Sequence, residues 1–347
     1  MASKNKQTTA GVYPTYNNPH TDSDMTNLET TFAGLRLKNP IIAASSGFTA
    51  NLERCRALCE AGVSAIVLKS IFEEQIEEHA GSIQKMGDHS EAADMLVSYV
   101  RSNVLNDYIM HLKAVKQNVN VPVIGSICCS RLGEWKSFAK VIEEAGADAL
   151  ELNIMSLNTQ KDYQYGEYEI DQAVIFSEVK RSVRIPVTVK LTSRLTNPVA
   201  AVNMLYSHGA TDVVLFNRHY QTDIDTDNMR LVTGKQISSP HNLYERLRWA
   251  AICSASIPLI RYAVSGGVHS GNDIVKSILA GASAVEVCSA LYKHGVDIVS
   301  TMLSELSTWM ERKGFSTISS FKSKLNFTNT PDPTGYERTQ FMEHVQK

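Results

Sequence analysis

The sequence predicts an α/β fold, a closed (β/α)8 barrel of the TIM class with long loops after its second and sixth strands. Three observations carry this. Four apolar runs are entered through a proline, at residues 39–44 (NPIIAA), 121–126 (VPVIGS), 185–190 (IPVTVK) and 257–262 (IPLIRY). Four others follow a glycine that ends a helix-like stretch, at 60–69 (EAGVSAIVLK), 144–153 (EAGADALELN), 207–217 (SHGATDVVLFN) and 279–288 (LAGASAVEVC). The two kinds alternate strictly along the chain, with helical patterns between them.

Each kind has a physical reason. Proline lacks an N–H, so it is tolerated at the first residue of a strand, where it breaks no ladder bond. Glycine takes the left-handed cap that ends a helix and lets a strand follow at once. Strands alternating with helices mean βαβ units and a parallel sheet, and eight such units match a closed barrel. An open, doubly wound sheet is the alternative arrangement.

In chain order, residues 1–27 are a polar arm without periodicity. Residues 30–37 form a short hairpin before the first core strand. Helices are expected at 52–60, 107–117, 134–144, 172–181, 200–207, 243–253 and 273–279, with a final one from about 296 to 312. The barrel domain spans 28–325, and 326–347 is a tail. Two connections exceed a simple turn, 70–106 and 218–240. Both leave the C-terminal ends of strands, the face on which barrels carry functional loops. The first begins acidic, with Glu73, Glu74, Glu77 and Glu78. The second contains Asp223, Asp225 and Asp227, which lack the glycine and terminal glutamate of a calcium loop. They read as a solvated loop, and no metal site is expected.

Composition narrows the function classes. The chain has 347 residues, 43% hydrophobic and 20% charged, as in a soluble globular protein. A net charge of −2 without a basic run argues against nucleic acid. No apolar stretch is long enough to span a bilayer, and no signal-peptide pattern opens the chain. Cys55, Cys59, Cys128, Cys129, Cys253 and Cys288 form no CxxC pair, which suits reduced thiols in a cytoplasmic protein.

In a barrel, residues at the carboxyl ends of strands face the site. Here they are Ser45, Lys69, Ser126, Asn153, Lys190, Asn217, Gly266 with Gly267, and Cys288 with Ser289. Lysine at an apolar strand end is costly unless it serves a purpose. Asparagine offers a donor and an acceptor, which suits a heterocycle with alternating C=O and N–H groups. The stretch 265–295 reads as two neighbouring strand–helix turns whose backbone N–H groups make a phosphate cradle. Two ordinary turns without a ligand are the plain alternative. A phosphate cradle opposite lysines and asparagines fits flavin mononucleotide, FMN.

The residues 39–45 (NPIIAAS), 67–70 (VLKS), 150–158 (LELNIMSLN), 189–191 (VKL) and the whole of 265–295 carry a resemblance. Over about 28–320 the chain resembles the dihydroorotate dehydrogenase family. The resemblance implies an FMN-dependent oxidoreductase acting on a CH–CH bond, oxidising dihydroorotate to orotate in pyrimidine biosynthesis. It implies that Ser45, Lys69, Ser70, Asn153, Lys190, Gly266, Gly267, Cys288 and Ser289 bind FMN, with the last four at its phosphate. Asn153, Asn158 and Asn217 would hold the pyrimidine, with Ser156 as the base and Lys69 beside the reacting ring. The expected partner is a small dihydropyrimidine, with no nucleic acid and no membrane, and a homodimer is among the assemblies allowed.

The chain departs from the family in its substrate half. Ser156 stands where the soluble class usually has cysteine, preceded by Met155 and followed by Leu157 in place of proline. The substrate motif usual after the second strand is missing from 71–105, and Asn217 is followed by Arg218 and His219. A related flavoprotein acting on another dihydropyrimidine, a flavin-binding barrel without this activity, and a phosphate-binding isomerase or aldolase barrel remain as alternatives.

Overall fold

The computed structural model describes residues 26–72, 90–129, 135–155, 157, 159–218, 221–234 and 236–345. Its first element is an antiparallel hairpin, β1 (Thr30–Phe32) and β2 (Leu35–Leu37), at the predicted place. There follow β3 (Ile41–Ala43), α1 (Leu52–Ala61), β4 (Ala65–Val67), the two-residue β5 (Ile71–Phe72), α2 (Ser90–Asn118) and β6 (Val123–Cys129). Next come α3 (Trp135–Glu144), β7 (Ala149–Ile154), α4 (Glu167–Ser182), β8 (Val187–Thr192), α5 (Pro198–Ser207) and β9 (Asp212–Asn217). A second hairpin, β10 (Thr222–Asp225) and β11 (Arg230–Thr233), precedes α6 (Asn242–Ser256), β12 (Arg261–Ser265), α7 (Gly271–Leu279) and β13 (Ala282–Val287). The chain ends with α8 (Ser289–His294), α9 (Ile298–Lys313), two short 3-10 turns and α10 (Gln340–Val345).

Strands β3, β4, β6, β7, β8, β9, β12 and β13 pair in parallel, and β13 pairs back onto β3. This is the closed barrel that the alternation predicts. The four helix-ending glycines, Gly62, Gly146, Gly209 and Gly281, all lie at positive φ, as the cap reading requires. The core is a continuous apolar layer between strands and helices, with Ile41, Leu150, Val189, Val213 and Val285 fully buried. A smaller inner cluster lies at the bottom of the barrel. There Phe32, Ala33 and Leu37 of the first hairpin meet Ile42, Val67, Ile124, Ala149, Val214, Ala263 and Ala284, so the hairpin plugs the end opposite the site.

Two expectations about loops are corrected. Helix α2 starts at Ser90, so the later part of 70–106 is helical. That stretch (SEAADMLVSYVRSNVLN) has strong helix formers and no glycine or proline, and the reading of it as loop underweighted this. Glu73, Glu74, Glu77 and Glu78 lie outside the described residues. Within 218–240 the chain forms β10 and β11. Asp225 accepts bonds from the Asn228 N–H, the Asn228 amide and Arg230 Nε, so it fastens a turn. Among the described residues no group of side chains could hold a metal ion, and no helix is long and apolar enough to cross a membrane.

Candidate active site

The carboxyl ends of the strands surround a cavity of about 380 Å³. Nearly every predicted site residue in the described chain lines it: Ser45, Lys69, Ser70, Asn153, Lys190, Asn217, Gly266, Gly267, Cys288 and Ser289. Ser156 and Asn158 lie outside the described residues. Ser126 is a correction. It sits within β6, fully buried, and its hydroxyl bonds to Ser70 Oγ (2.8 Å) rather than facing the cavity. The Ser70 N–H donates to Ser45 Oγ (2.9 Å) and the two hydroxyls bond to each other (3.1 Å), so three serines tie the chain just after β3 and β4 to β6 beneath one wall.

The cradle side is built by glycine geometry. Gly266 and Gly267 have φ of 95° and 86°, which side chains rarely adopt. A Cβ on Gly267 would fall 2.3 Å from Leu243 N, against the first turn of α6. The Gly267 N–H donates to Ser238 Oγ (3.2 Å), and the Ser238 N–H donates to Ser289 Oγ (2.9 Å). Ser238, nearly buried, therefore latches the segment after β11 to both turns of the cradle. Among the described residues the N–H groups of Gly266, Ser289 and Ala290 have no partner within the chain.

The opposite side is polar at its rim and apolar at its walls. Asn217 Nδ2 donates to Asn153 Oδ1 (2.5 Å), and Asn217 Oδ1 accepts the Arg218 N–H (2.6 Å). Among the described residues the Asn153 amide NH2 has no acceptor, so it is the donor of the pair that can turn to a ligand. Phe72, Met155 and Phe216 supply apolar surface. Lys69 is exposed at the mouth.

Lys190 is not at a strand end but within β8, 5% exposed, on the cavity floor. Its ammonium donates to Glu286 Oε2 (2.5 Å) and lies 3.5 Å from Glu151 Oε1. Burial works against the Lys190 charge, but Glu151 and Glu286 more than offset it and hold the group well above its ordinary range. Burial, then the neighbouring Glu286, pushes the Glu151 carboxyl well up. Glu286 is held low despite burial, because Lys190 sits against it. Cys288 is pushed up by burial, so its thiol is neutral.

Sequence reading named Lys190 and missed both glutamates. The signal was present. Side chains alternate along a strand, so Glu151 shares a face with Asn153, and Glu286 shares one with Cys288. Ser238, Phe72 and Arg218 were also missed. They reach the cavity from loops and a two-residue strand, which carry no period.

Residues 27–310 match the family model for dihydroorotate dehydrogenase. The chain is 31% identical over 307 residues to the dihydroorotate dehydrogenase B (NAD(+)) catalytic subunit of Methanosarcina acetivorans, covering 82% of this chain and 92% of that one. It is 29% identical to the protein of the same name from Thermoplasma volcanium, covering 85% of this chain and 97% of that one. The barrel, the cavity at its carboxyl face and these matches converge, and the chain belongs to the dihydroorotate dehydrogenase family.

Proposed function

We propose that this chain is an FMN-dependent dihydroorotate dehydrogenase, which oxidises dihydroorotate to orotate in pyrimidine biosynthesis. One observation carries the reading. A single cavity joins a backbone N–H cradle on one side to a lysine and paired asparagines on the other. The residues fit the cofactor. Among the described residues the N–H groups of Gly266, Ser289 and Ala290 have no acceptor, and they stand at the edge of the cavity where a phosphate would approach.

When bound, FMN supplies the hydride acceptor. The chain's own residues do the rest. Ser238 braces the cradle, Lys190 presents a charge held in place from the floor, and Asn153 offers its amide to a pyrimidine carbonyl. Phe72, Met155 and Phe216 exclude water from the reacting face. Ser156 is the proposed base, and a serine serves only when a neighbour or water relays its proton. The relatives' names include the words catalytic subunit, which supports a partner subunit for this chain.

The test is direct. Purified protein is expected to be yellow, to release FMN identified by mass spectrometry, and to bleach with dihydroorotate without oxygen. Ser156→Ala is expected to slow that bleaching by about 10²–10⁴-fold. A colourless protein that FMN does not reconstitute overturns the flavin assignment.

A second reading is a flavoprotein acting on another dihydropyrimidine. The observation favouring it is the mutual engagement of Asn217 with Asn153 and the Arg218 N–H, which spends polar groups a substrate could use. Bleaching by dihydrouracil but not by dihydroorotate would select it.

A further inference from the structure

Beneath the cavity two carboxylates share one ammonium, all three buried. Glu151 is 1%, Lys190 5% and Glu286 2% exposed. The three come from β7, β8 and β13, and only Lys190 and Glu286 line the cavity. Glu151 Oε1 and Glu286 Oε1 are buried with no hydrogen-bond partner. Two ionised carboxylates with orphaned oxygens around one lysine would leave an uncompensated buried charge, which burial strongly disfavours. One proton shared between them removes that cost, because the protonated carboxyl becomes a donor to the other. Both carboxyls close on the same ammonium, Glu286 at 2.5 Å and Glu151 at 3.5 Å, which brings them side by side, and each acts on the other's charge. Lys190 stands closer to Glu286, so at rest the proton belongs on Glu151.

We propose that Glu151 and Glu286 form an internal proton relay beside Lys190 that moves negative charge away from the cavity when the ligand above it becomes anionic. The step balances within the chain. The O–H bond of Glu151 breaks and an O–H bond forms on Glu286. The carboxylate charge passes from Glu286, at the cavity, to Glu151, behind it. Lys190 keeps its charge and changes partner. The cavity floor then presents an ammonium beside a neutral carboxyl, which favours an anion, and no proton enters from solvent. The other groups facing the relay leave it one proton to move. Among the described residues they are the Tyr108 hydroxyl from α2, held neutral by burial, the neutral Cys288 thiol, and the Ser265 side chain, which supports ionised Glu286.

The relay rests on the flavin reading only for the anion it answers, which is the reduced cofactor. Two arms separate the failures. The first uses the flavin-free protein. Its infrared spectrum is expected to contain the carbonyl band of a protonated carboxyl, lost in Glu151→Gln. A band that survives Glu151→Gln overturns the assignment of the resting proton, and with it the relay. The second uses the FMN-loaded protein and reads the midpoint potential by dye equilibration. Glu286→Gln fixes a neutral group at the cavity and is expected to favour the reduced form about tenfold, ~30 mV for a two-electron couple. Glu151→Gln leaves Glu286 ionised and is expected to shift the potential the opposite way. A merely structural role for Glu151 predicts no shift, and shifts of one sign in both variants also overturn the relay. Protein that binds no FMN fails the flavin reading, and the infrared arm still decides the proton's place.

Discussion

A methyl group at Gly267 would lie 2.3 Å from the Leu243 nitrogen and 2.8 Å from its Cα. Those are backbone atoms of α6, which no rotamer change can move. The sequence reading gave this glycine to the approach of a phosphate. The structure gives it a second duty, the close packing of a strand end against a helix start. Gly267→Ala is therefore expected to lower the melting temperature as well as to weaken FMN binding, read by calorimetry and flavin fluorescence. Loss of FMN at an unchanged melting temperature would return the residue to cofactor binding alone. The two lysines separate in the same way. Lys69 is exposed at the mouth, so Lys69→Met is expected to leave the unfolding free energy unchanged. Lys190 holds buried carboxylates, and Lys190→Met is expected to cost about 3–5 kcal/mol in urea unfolding. Both read in sequence as strand-end lysines, which holds for Lys69 just after β4 but not for Lys190 inside β8. Only their neighbours across the barrel, Glu151 and Glu286, distinguish them, and neighbours from strands far apart in sequence leave no local mark.

At the scale of elements, the alternation of proline entries and glycine caps placed all eight barrel strands. It worked because both residues act through their own backbone: proline through its missing N–H, glycine through the left-handed cap. The first hairpin was read correctly as a hairpin, but its role was not visible. It plugs the barrel, and it is fastened there by Asp212 at the start of β9. Asp212 accepts the Ala33 N–H (2.9 Å) and two bonds from Arg261 (2.7 Å each). Asp212→Ala leaves a buried N–H and a part-buried guanidinium without their acceptor, and is expected to destabilise the fold by about 3 kcal/mol. The matching control is Asp223→Ala on β10, a side chain at the surface, for which no measurable change is expected.

For the whole molecule, the buried glutamate couples stability to pH with a defined sign. The folded carboxyl of Glu151 is held well above its ordinary value of 4.5, first by burial and then by Glu286. Folded protein thus keeps a proton that the unfolded chain releases. Stability from this group is fully present below the unfolded value and falls as pH rises above it, toward the raised folded value. Glu151→Gln cannot release the proton, so its advantage over the wild type is expected to grow between about pH 5 and pH 8, measured as the difference in urea midpoints. A difference that stays flat across that range would mean that Glu151 ionises normally in the folded state.

What the sequence determined by itself is whatever each segment does without its neighbours. It set strand entry at proline, helix ending at glycine, the polarity of the strand ends, and the order of eight repeated units whose closure follows from their number. Family membership was legible for the same reason, because its motifs are contiguous. The tertiary structure alone decided which inward side chains meet. It set the Glu151–Lys190–Glu286 cluster, the Asn153–Asn217 pair, the Ser238 latch and the hairpin plug, since each joins positions from different strands or loops. Their energies come from burial and from partners across the barrel, and neither exists until the ring closes.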